Sequence, residues 1–196
     1  MTGKCERRGV DAPLRWLFHA RLMAVVSVIY VWSYFLTVSV VAPVQSMVLP
    51  ATAMSVVFLP HGVRVLAAWM YGWRSVGYLL PGAMLCNLHF AGDRAFDPVI
   101  LSGTLASLVS APLAFAAVRR FWGRRGGRIA TAPGETRLQT VLLVGAAASV
   151  LNLTGLQIAY GLAPAEGAVI LVGDVTGLAL SMLVVWATLR LLKGHI

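Results

Sequence analysis

A histidine and an arginine lie close together inside an apolar part of the sequence, in residues 58–72. Pro60 removes a backbone donor and Gly62 tolerates unusual dihedral angles, so together they predict a break in a helix. A helix that restarts after a break presents free N–H groups that carry partial positive charge. His61 and Arg64 adjoin this end, and the sequence therefore predicts a site for a small polar or anionic ligand.

The same segment also has a purely structural interpretation, a proline kink that binds nothing. Arg64 lies about five residues past the middle of the predicted span, or roughly 8 Å towards the cytoplasm, from where its side chain could snorkel to the interface. Ionisable residues within a membrane generally mark functional sites. Both interpretations of Arg64 remain open at this point.

Asp174, in Gly173-Asp-Val-Thr-Gly177, is the second candidate for the ligand site. An unpaired carboxylate inside an apolar span is costly, and the two glycines predict close packing of another helix. Helix rise places Asp174 and Arg64 on opposite sides of the membrane midplane, roughly 15–20 Å apart in depth, so no direct salt bridge is expected. Asp174 is expected instead to meet outer-leaflet partners or to line an outward-facing cavity, with helix packing alone as the alternative.

Uncharged polar side chains also fall within the apolar stretches. Asn87 joins His61, Arg64 and Asp174 in the predicted ligand site, although interhelical hydrogen bonding is the default explanation for such groups; the others are His89, Asn152, Thr154 and Gln157. No nucleophile elbow, phosphate-binding glycine loop, HExxH zinc site or pair of acid/base carboxylates is present in the sequence. We therefore expect no enzymatic activity, no cofactor and no metal.

The composition predicts an integral membrane protein. Of 196 residues, 59% are hydrophobic and 12% are charged, with a mean hydropathy of +0.80; soluble proteins have roughly 25% charged residues. The net charge of +9 lies between apolar runs and forms no single basic face, so nucleic acid is not an expected partner. The main basic residues are Lys4, Arg7, Arg8, Arg15, Arg119, Arg120, Arg124, Arg125, Arg128, Arg190 and Lys193.

The apolar stretches predict an all-α transmembrane bundle of about six spans that forms one domain over residues 1–196. The predicted spans are 20–42, 44–72, 75–90, 99–118, 138–160 and 168–192. The second is interrupted at Pro60-His61-Gly62, and whether it is one broken span or two pieces stays open. The positive-inside rule predicts that both termini are cytoplasmic, with a tail at 1–19 and a basic cytoplasmic loop at 119–137.

One stretch resembles the MASE1 type of membrane sensor domain: Leu59-Pro-His-Gly-Val-Arg-Val-Leu-Ala-Ala-Trp-Met-Tyr-Gly-Trp73, followed by Leu80-Pro-Gly-Ala83 and Asn87. Gly173-Asp-x-x-Gly177 is similar to the Gly-Asp element of that family's final helices. The resemblance, over residues 45–190, implies a multi-pass sensory module of the bacterial inner membrane. The chain departs from the family in being shorter, in having His61 and Arg64 where small or apolar residues are general, and in the expectation that no output domain follows Ile196.

The leading functional hypothesis is therefore a non-enzymatic sensory, ligand-binding or accessory module in the lipid bilayer, acting through a separate protein partner. A small-solute transporter, or its substrate-binding membrane component, is the alternative, because broken helices with polar residues at depth also mark transport sites. A structural subunit of a larger membrane complex is the second alternative.

Overall fold

The structure, a computed structural model, describes residues 11–48, 55–123 and 138–193. These residues are all-α and contain no strand, which confirms the predicted class. A π-helical segment, Thr37–Val41, joins the first two helices, and a 3₁₀ segment, Gly92–Phe96, lies between the fourth and fifth. The helices are α1 (Asp11–Leu36), α2 (Ala42–Val48), α3 (Leu59–Tyr71), α4 (Arg74–Ala91), α5 (Pro98–Gly123), α6 (Leu138–Tyr160) and α7 (Pro164–Lys193).

Four helical stretches in the described part of the chain are long and apolar enough to cross a membrane: Trp16–Met47, Pro98–Phe121, Gln139–Tyr160 and Pro164–Thr188. Large apolar side chains such as Val28, Leu143 and Ile158 are exposed on them, as expected for surfaces that face lipid. The prediction of a membrane protein is supported at this level. α3 has 13 residues and is about 20 Å long, shorter than the ~30 Å hydrocarbon core.

The helices extend beyond the predicted spans at two places. α1 begins at Asp11, so residues 11–19 of the predicted tail are helical, and residues 1–10 lie outside the described part. α5 continues to Gly123, so Arg119 and Arg120 lie on its last turns instead of in a loop. The remainder of the predicted basic loop, 124–137, lies outside the described residues.

The largest correction concerns the second predicted span, 44–72. Its first residues, up to Val48, belong to α2, residues 55–58 are not helical, and α3 begins at Leu59. Pro60 therefore starts a helix and does not break one, because the first turn is where proline's missing N–H costs nothing. The predicted span therefore consists of two separate helices, α2 and α3. Residues 49–54 between them lie outside the described part.

α3 lies at the centre of the bundle, in contact with α1, α4, α5, α6 and α7. One buried apolar cluster joins it to α5, α6 and α7 around Val65 and Leu178. A second cluster joins it to α1 and α4 around Ala67 and Leu79. Polar residues on α3 are consequently kept away from lipid on every side.

Ser27 of α1 forms two hydrogen bonds with the backbone of α4 beside Pro81, the proline inside that helix. Pro81 donates no hydrogen bond, and at the next residue Ser27 Oγ accepts from Gly82 N at 3.2 Å and donates to Tyr78 O at 2.8 Å. The hydroxyl thus bridges a backbone donor and acceptor of the helix, a recognised way of accommodating a kink. This contact positions the second half of α4, which includes Ala83, Cys86 and Asn87.

Candidate ligand-binding site

One wall of the site is the non-helical segment 55–58. This segment packs against α7 more than two turns after the first residue of that helix. Phe58 N donates to Gly173 O at 2.8 Å, and Thr176 Oγ1 donates to Val56 O at 2.5 Å. Gly173 is about nine residues, or roughly 13 Å, along α7 from Pro164. Irregular backbone at such depth is tolerated only where protein supplies its hydrogen bonds, as α7 does here.

The two predicted packing glycines make this approach feasible. A Cβ atom added at Gly173 would collide with the carbonyl of Ser55, and one added at Gly177 would collide with the carbonyl of Phe58. Gly173 and Gly177 therefore accommodate a non-helical segment and the start of α3. The sequence indicated small residues at this contact but placed another helix, and not a non-helical segment, against them.

Two of the N–H groups at the start of α3 have acceptors within the protein. Leu59 N donates to Thr37 Oγ1 at 3.3 Å, and His61 N donates to Phe58 O at 3.2 Å. Pro60 has no N–H. These two bonds leave fewer free N–H groups at this helix end than the sequence predicted.

His61, Arg64 and Asp174 form one buried cluster, with side chains exposed by 0%, 2% and 1%. His61 Nδ1 lies 3.2 Å from Asp174 Oδ2, and Arg64 Nη2 lies 3.7 Å from Asp174 Oδ1. The expectation of no direct Arg64–Asp174 contact was therefore wrong, as was the alternative of Arg64 snorkelling to the interface. Both errors have one cause: α3 starts beside Gly173 and Gly177, so that Arg64, whose side chain points back along the helix, is level with Asp174.

Further polar groups from α5 and α6 complete the cluster. Asn152 Nδ2 donates to Asp174 Oδ2 at 2.7 Å, and Ser107 Oγ donates to Asn152 Oδ1 at 2.8 Å. The interhelical hydrogen bonding predicted for Asn152 is thus present. Sequence reasoning missed Ser107 and Ser149, because serines are common in membrane helices and only contacts distinguish these two.

The Nδ1 atom of His61 lies between a donor and an acceptor and can serve only one of them. If Nδ1 carries the proton, it donates to Asp174, while Nε2 accepts from Ser149 Oγ at 3.0 Å. If Nε2 carries the proton, it donates to Gly145 O at 3.3 Å, while Nδ1 accepts from Arg64 Nη2 at 3.3 Å. Both tautomers satisfy the imidazole, so His61 connects the ion pair to α6 in either form.

A cavity of about 450 Å³ adjoins the ion pair. Arg64, Asn87 and Asp174 border it, whereas His61 lies behind them and does not. Asn87 Nδ2 donates to Thr104 Oγ1 at 2.9 Å, which holds α4 to α5 at the cavity wall. Three of the four predicted ligand residues therefore border one cavity, and the fourth supports two of them.

The cavity belongs to one end of the bundle. Its walls come from the C-terminal parts of α1, α4 and α6 and from the N-terminal parts of α5 and α7, as Asn87, Gly103, Tyr160 and Ile170 illustrate. These ends coincide because α3 and α7 run in the same direction and α6 runs opposite to them. The opposite end carries Arg74, Arg120 and Arg190.

Arg64 has hydrogen-bonding capacity that the protein does not use. Its Nη2 atom approaches His61 and Asp174, but Nε is buried without an acceptor. The guanidinium also lies over the ring of Phe58, 5.8 Å from the ring centroid. A buried donor without a partner is unfavourable, so an acceptor supplied from the cavity would improve the site.

The arrangement has the groups that are needed to bind a small ligand. The residues that the structure describes include no group of three or more histidine, cysteine, aspartate or glutamate side chains that could hold a metal ion. The cluster offers a fixed cation, a fixed carboxylate and amide or hydroxyl groups, which can orient a ligand by hydrogen bonds. Comparison of the chain with protein-family models, curated proteins and solved structures finds no match.

Proposed function

We propose that the chain is a non-enzymatic membrane module that binds a small molecule in the cavity beside Arg64 and Asp174 and acts through a separate protein partner. The supporting observation is that this cavity ends on a buried ion pair whose arginine has an unused donor. A pair serving structure alone would be expected to use its donors within the protein. The proposed role is that of a sensor or an accessory subunit.

The proposed topology has six membrane crossings, with α1–α2, α4 and α6 running outwards and α3, α5 and α7 running inwards. The bases for this orientation are the positive-inside rule and the position of Arg74, Arg120 and Arg190 at one end of the bundle. The cavity then lies towards the outer face. A multi-pass protein of the bacterial inner membrane would in this way sample the compartment outside the cytoplasm.

A route from ligand to partner follows from the elements that meet at the cavity. Arg64 is on α3 and Asp174 on α7, so a ligand that changes their contact changes how these helices pack. α7 continues to Lys193 at the proposed cytoplasmic end. The resemblance to MASE1 sensor domains agrees with such a role, with a kinase or a cyclic-di-GMP enzyme as the kind of partner expected.

Transport of a small solute is the second candidate, favoured by one feature. α3 begins at depth after the non-helical segment 55–58, and transporters often form substrate sites from discontinuous helices of this kind. Transport requires the site to open to both sides in turn. Sensing requires that the site is open to one side of the membrane only.

Two assays separate these functions: solute uptake by proteoliposomes that contain the purified full chain, and the output of a partner co-expressed with the full chain in cells. Under the proposal, proteoliposomes take up no more of a solute panel than empty vesicles do, and a co-expressed partner's output falls when Arg64→Leu is introduced at normal membrane levels. Arg64→Lys retains part of the output, and Arg94→Leu, which alters an exposed pair with Asp97, retains all of it. Uptake that Arg64→Leu abolishes would establish transport instead, and wild-type output from Arg64→Leu would refute the ligand site.

A further inference from the structure

The charge balance of the cavity specifies the class of ligand, an inference that rests on the proposed binding function. Arginine keeps its positive charge in proteins, so Arg64 supplies a cation. Asp174 supplies the matching negative charge: its Oδ1 atom lies 3.7 Å from Arg64 Nη2, and its Oδ2 atom accepts from Asn152. The other ionisable groups around the site are His61 behind the pair, the phenols Tyr30, Tyr34 and Tyr160, and the thiol Cys86. With these in their neutral forms, the site carries no net charge before a ligand enters.

A ligand with a net charge would upset this balance. The cavity lies among packed helices, and a charge placed in such an environment needs its own partner. Among the residues that the structure describes, the one cation at the site already has a carboxylate, and the one carboxylate already has a cation. An anion would have to compete with Asp174 for Arg64, and a cation would have to compete with Arg64 for Asp174.

The walls indicate the body of the ligand. Tyr30, Tyr34, Phe58 and Tyr160 surround a space that is also bordered by apolar residues such as Leu156 and Ile170 and by the polar residues around the ion pair. Aromatic side chains pack favourably against flat rings, in stacked or edge-to-face arrangements. The volume of about 450 Å³ is within the ~300–1,000 Å³ of small-molecule sites and is far larger than one water molecule needs.

We infer that the cavity takes an uncharged molecule with a flat, apolar or aromatic body and a hydrogen-bond-accepting oxygen directed at Arg64. The oxygen supplies the acceptor that Nε lacks, after a small rotation of the guanidinium towards the cavity, because Nε itself is covered. Arg64 keeps Asp174 as its counter-ion throughout. This narrows the earlier expectation of a polar or anionic ligand to neutral amphipathic compounds.

Cys86 provides a reporter, because it is a free thiol on the cavity wall. The test uses the full chain with Cys5→Ser, purified in a mild detergent, and measures the rate at which uncharged methyl methanethiosulfonate modifies Cys86. Three probes share one ring system: 2-naphthamide is neutral, 2-naphthoate is an anion and 2-naphthylmethylammonium is a cation. We expect 2-naphthamide to protect Cys86 at concentrations at least about tenfold lower than either charged probe.

Variants show where the protection originates. Arg64→Leu should weaken protection by 2-naphthamide at least about tenfold, whereas Arg64→Lys should retain part of it and Arg94→Leu, at an exposed site, all of it. The thermal unfolding midpoint of each variant, measured in the same detergent, identifies losses that come from misfolding.

Two results would overturn the inference in different ways. If 2-naphthoate or 2-naphthylmethylammonium protects as well as 2-naphthamide, the ligand class is wrong while binding in the cavity stands. If no probe slows modification of Cys86, the inference fails, and wild-type output from Arg64→Leu would then remove the proposed function as well.

Discussion

Arg64 Nη2 on α3 lies 3.7 Å from Asp174 Oδ1 on α7, and both side chains are almost completely buried. The ion pair joins the central helix α3 to α7, which runs in the same direction. The pair borders the cavity together with Asn152, which donates to Asp174, and it contacts His61 on the side away from the cavity. The stability of the fold and the proposed function therefore depend on the same two residues. Variants at Arg64 and Asp174 can be examined for both properties, by unfolding and by ligand binding.

The stability of the fold should depend on keeping the pair balanced. Asp174→Asn leaves the Arg64 charge buried without a counter-ion and should lower the free energy of unfolding by about 3–5 kcal/mol. Replacing both, as Arg64→Met with Asp174→Leu, should recover most of that loss because no unpaired charge remains. Unfolding in mixed micelles measures both. Asp97→Asn is the control, since its exposed pair with Arg94 should be worth less than about 1 kcal/mol; a double variant as unstable as Asp174→Asn would contradict the account.

The close approach of segment 55–58 to α7 gives a second prediction, about glycine. Gly177→Ala would place a Cβ against the Phe58 carbonyl, so it should destabilise the protein by about 1–3 kcal/mol and displace the start of α3. Gly77→Ala in α4 is the matched control, because a Cβ there meets nothing within 4 Å. That substitution should be neutral or stabilise the helix by about 0.5–1 kcal/mol. Equal effects of the two would show that the segment does not pack on α7.

Ser27 gives a third prediction, at the proline of α4. Ser27→Ala removes the hydroxyl that serves Gly82 N and Tyr78 O, leaving a buried donor unsatisfied at a cost of about 1–3 kcal/mol. Ser46→Ala is the control: its hydroxyl donates to Pro43 O at an exposed position, and its loss should change stability by less than about 0.5 kcal/mol. Thermal unfolding of both variants checks this, and a fully stable Ser27→Ala would exclude the bridging role.

The orientation is testable with single cysteines in a Cys5→Ser, Cys86→Ser background. Asp93→Cys lies in the 3₁₀ segment at the cavity end of the bundle, and Arg120→Cys lies on the last turns of α5. A membrane-impermeant maleimide added to intact spheroplasts should label the chain carrying Asp93→Cys at once, and the chain carrying Arg120→Cys only after the membrane is permeabilised. The reverse pattern would place the cavity on the cytoplasmic side.

The sequence was sufficient for the class of fold, and it singled out three of the polar residues that border the cavity. Arg64, Asp174 and Asn87 stand out because ionisable and amide groups are rare in apolar stretches. Their distances could not be derived in the same way, since an error in where one helix starts shifts every depth along it by 1.5 Å per residue. The sequence interpretation placed Pro60 in the middle of a span, whereas Pro60 lies in the first turn of α3. This error produced the predicted difference in depth between Arg64 and Asp174.

The remaining members of the cluster had no sequence signal of comparable strength. Ser107 and Ser149 are recognisable only after α5 and α6 are packed against α3 and α7. The glycines at 173 and 177 did indicate a close approach, but small residues admit a helix or an extended chain equally well. Tertiary contacts alone decide between these.

The central claim, that the cavity beside Arg64 and Asp174 holds a small molecule, is tested most directly by native mass spectrometry of the full chain released from its own membranes in mild detergent. The account predicts a bound species of small-molecule mass on the wild-type chain and on Arg94→Leu, and its loss from Arg64→Leu. A wild-type chain that carries no such species, even after incubation with a membrane extract, would contradict the claim, and so would an Arg64→Leu chain with unchanged occupancy.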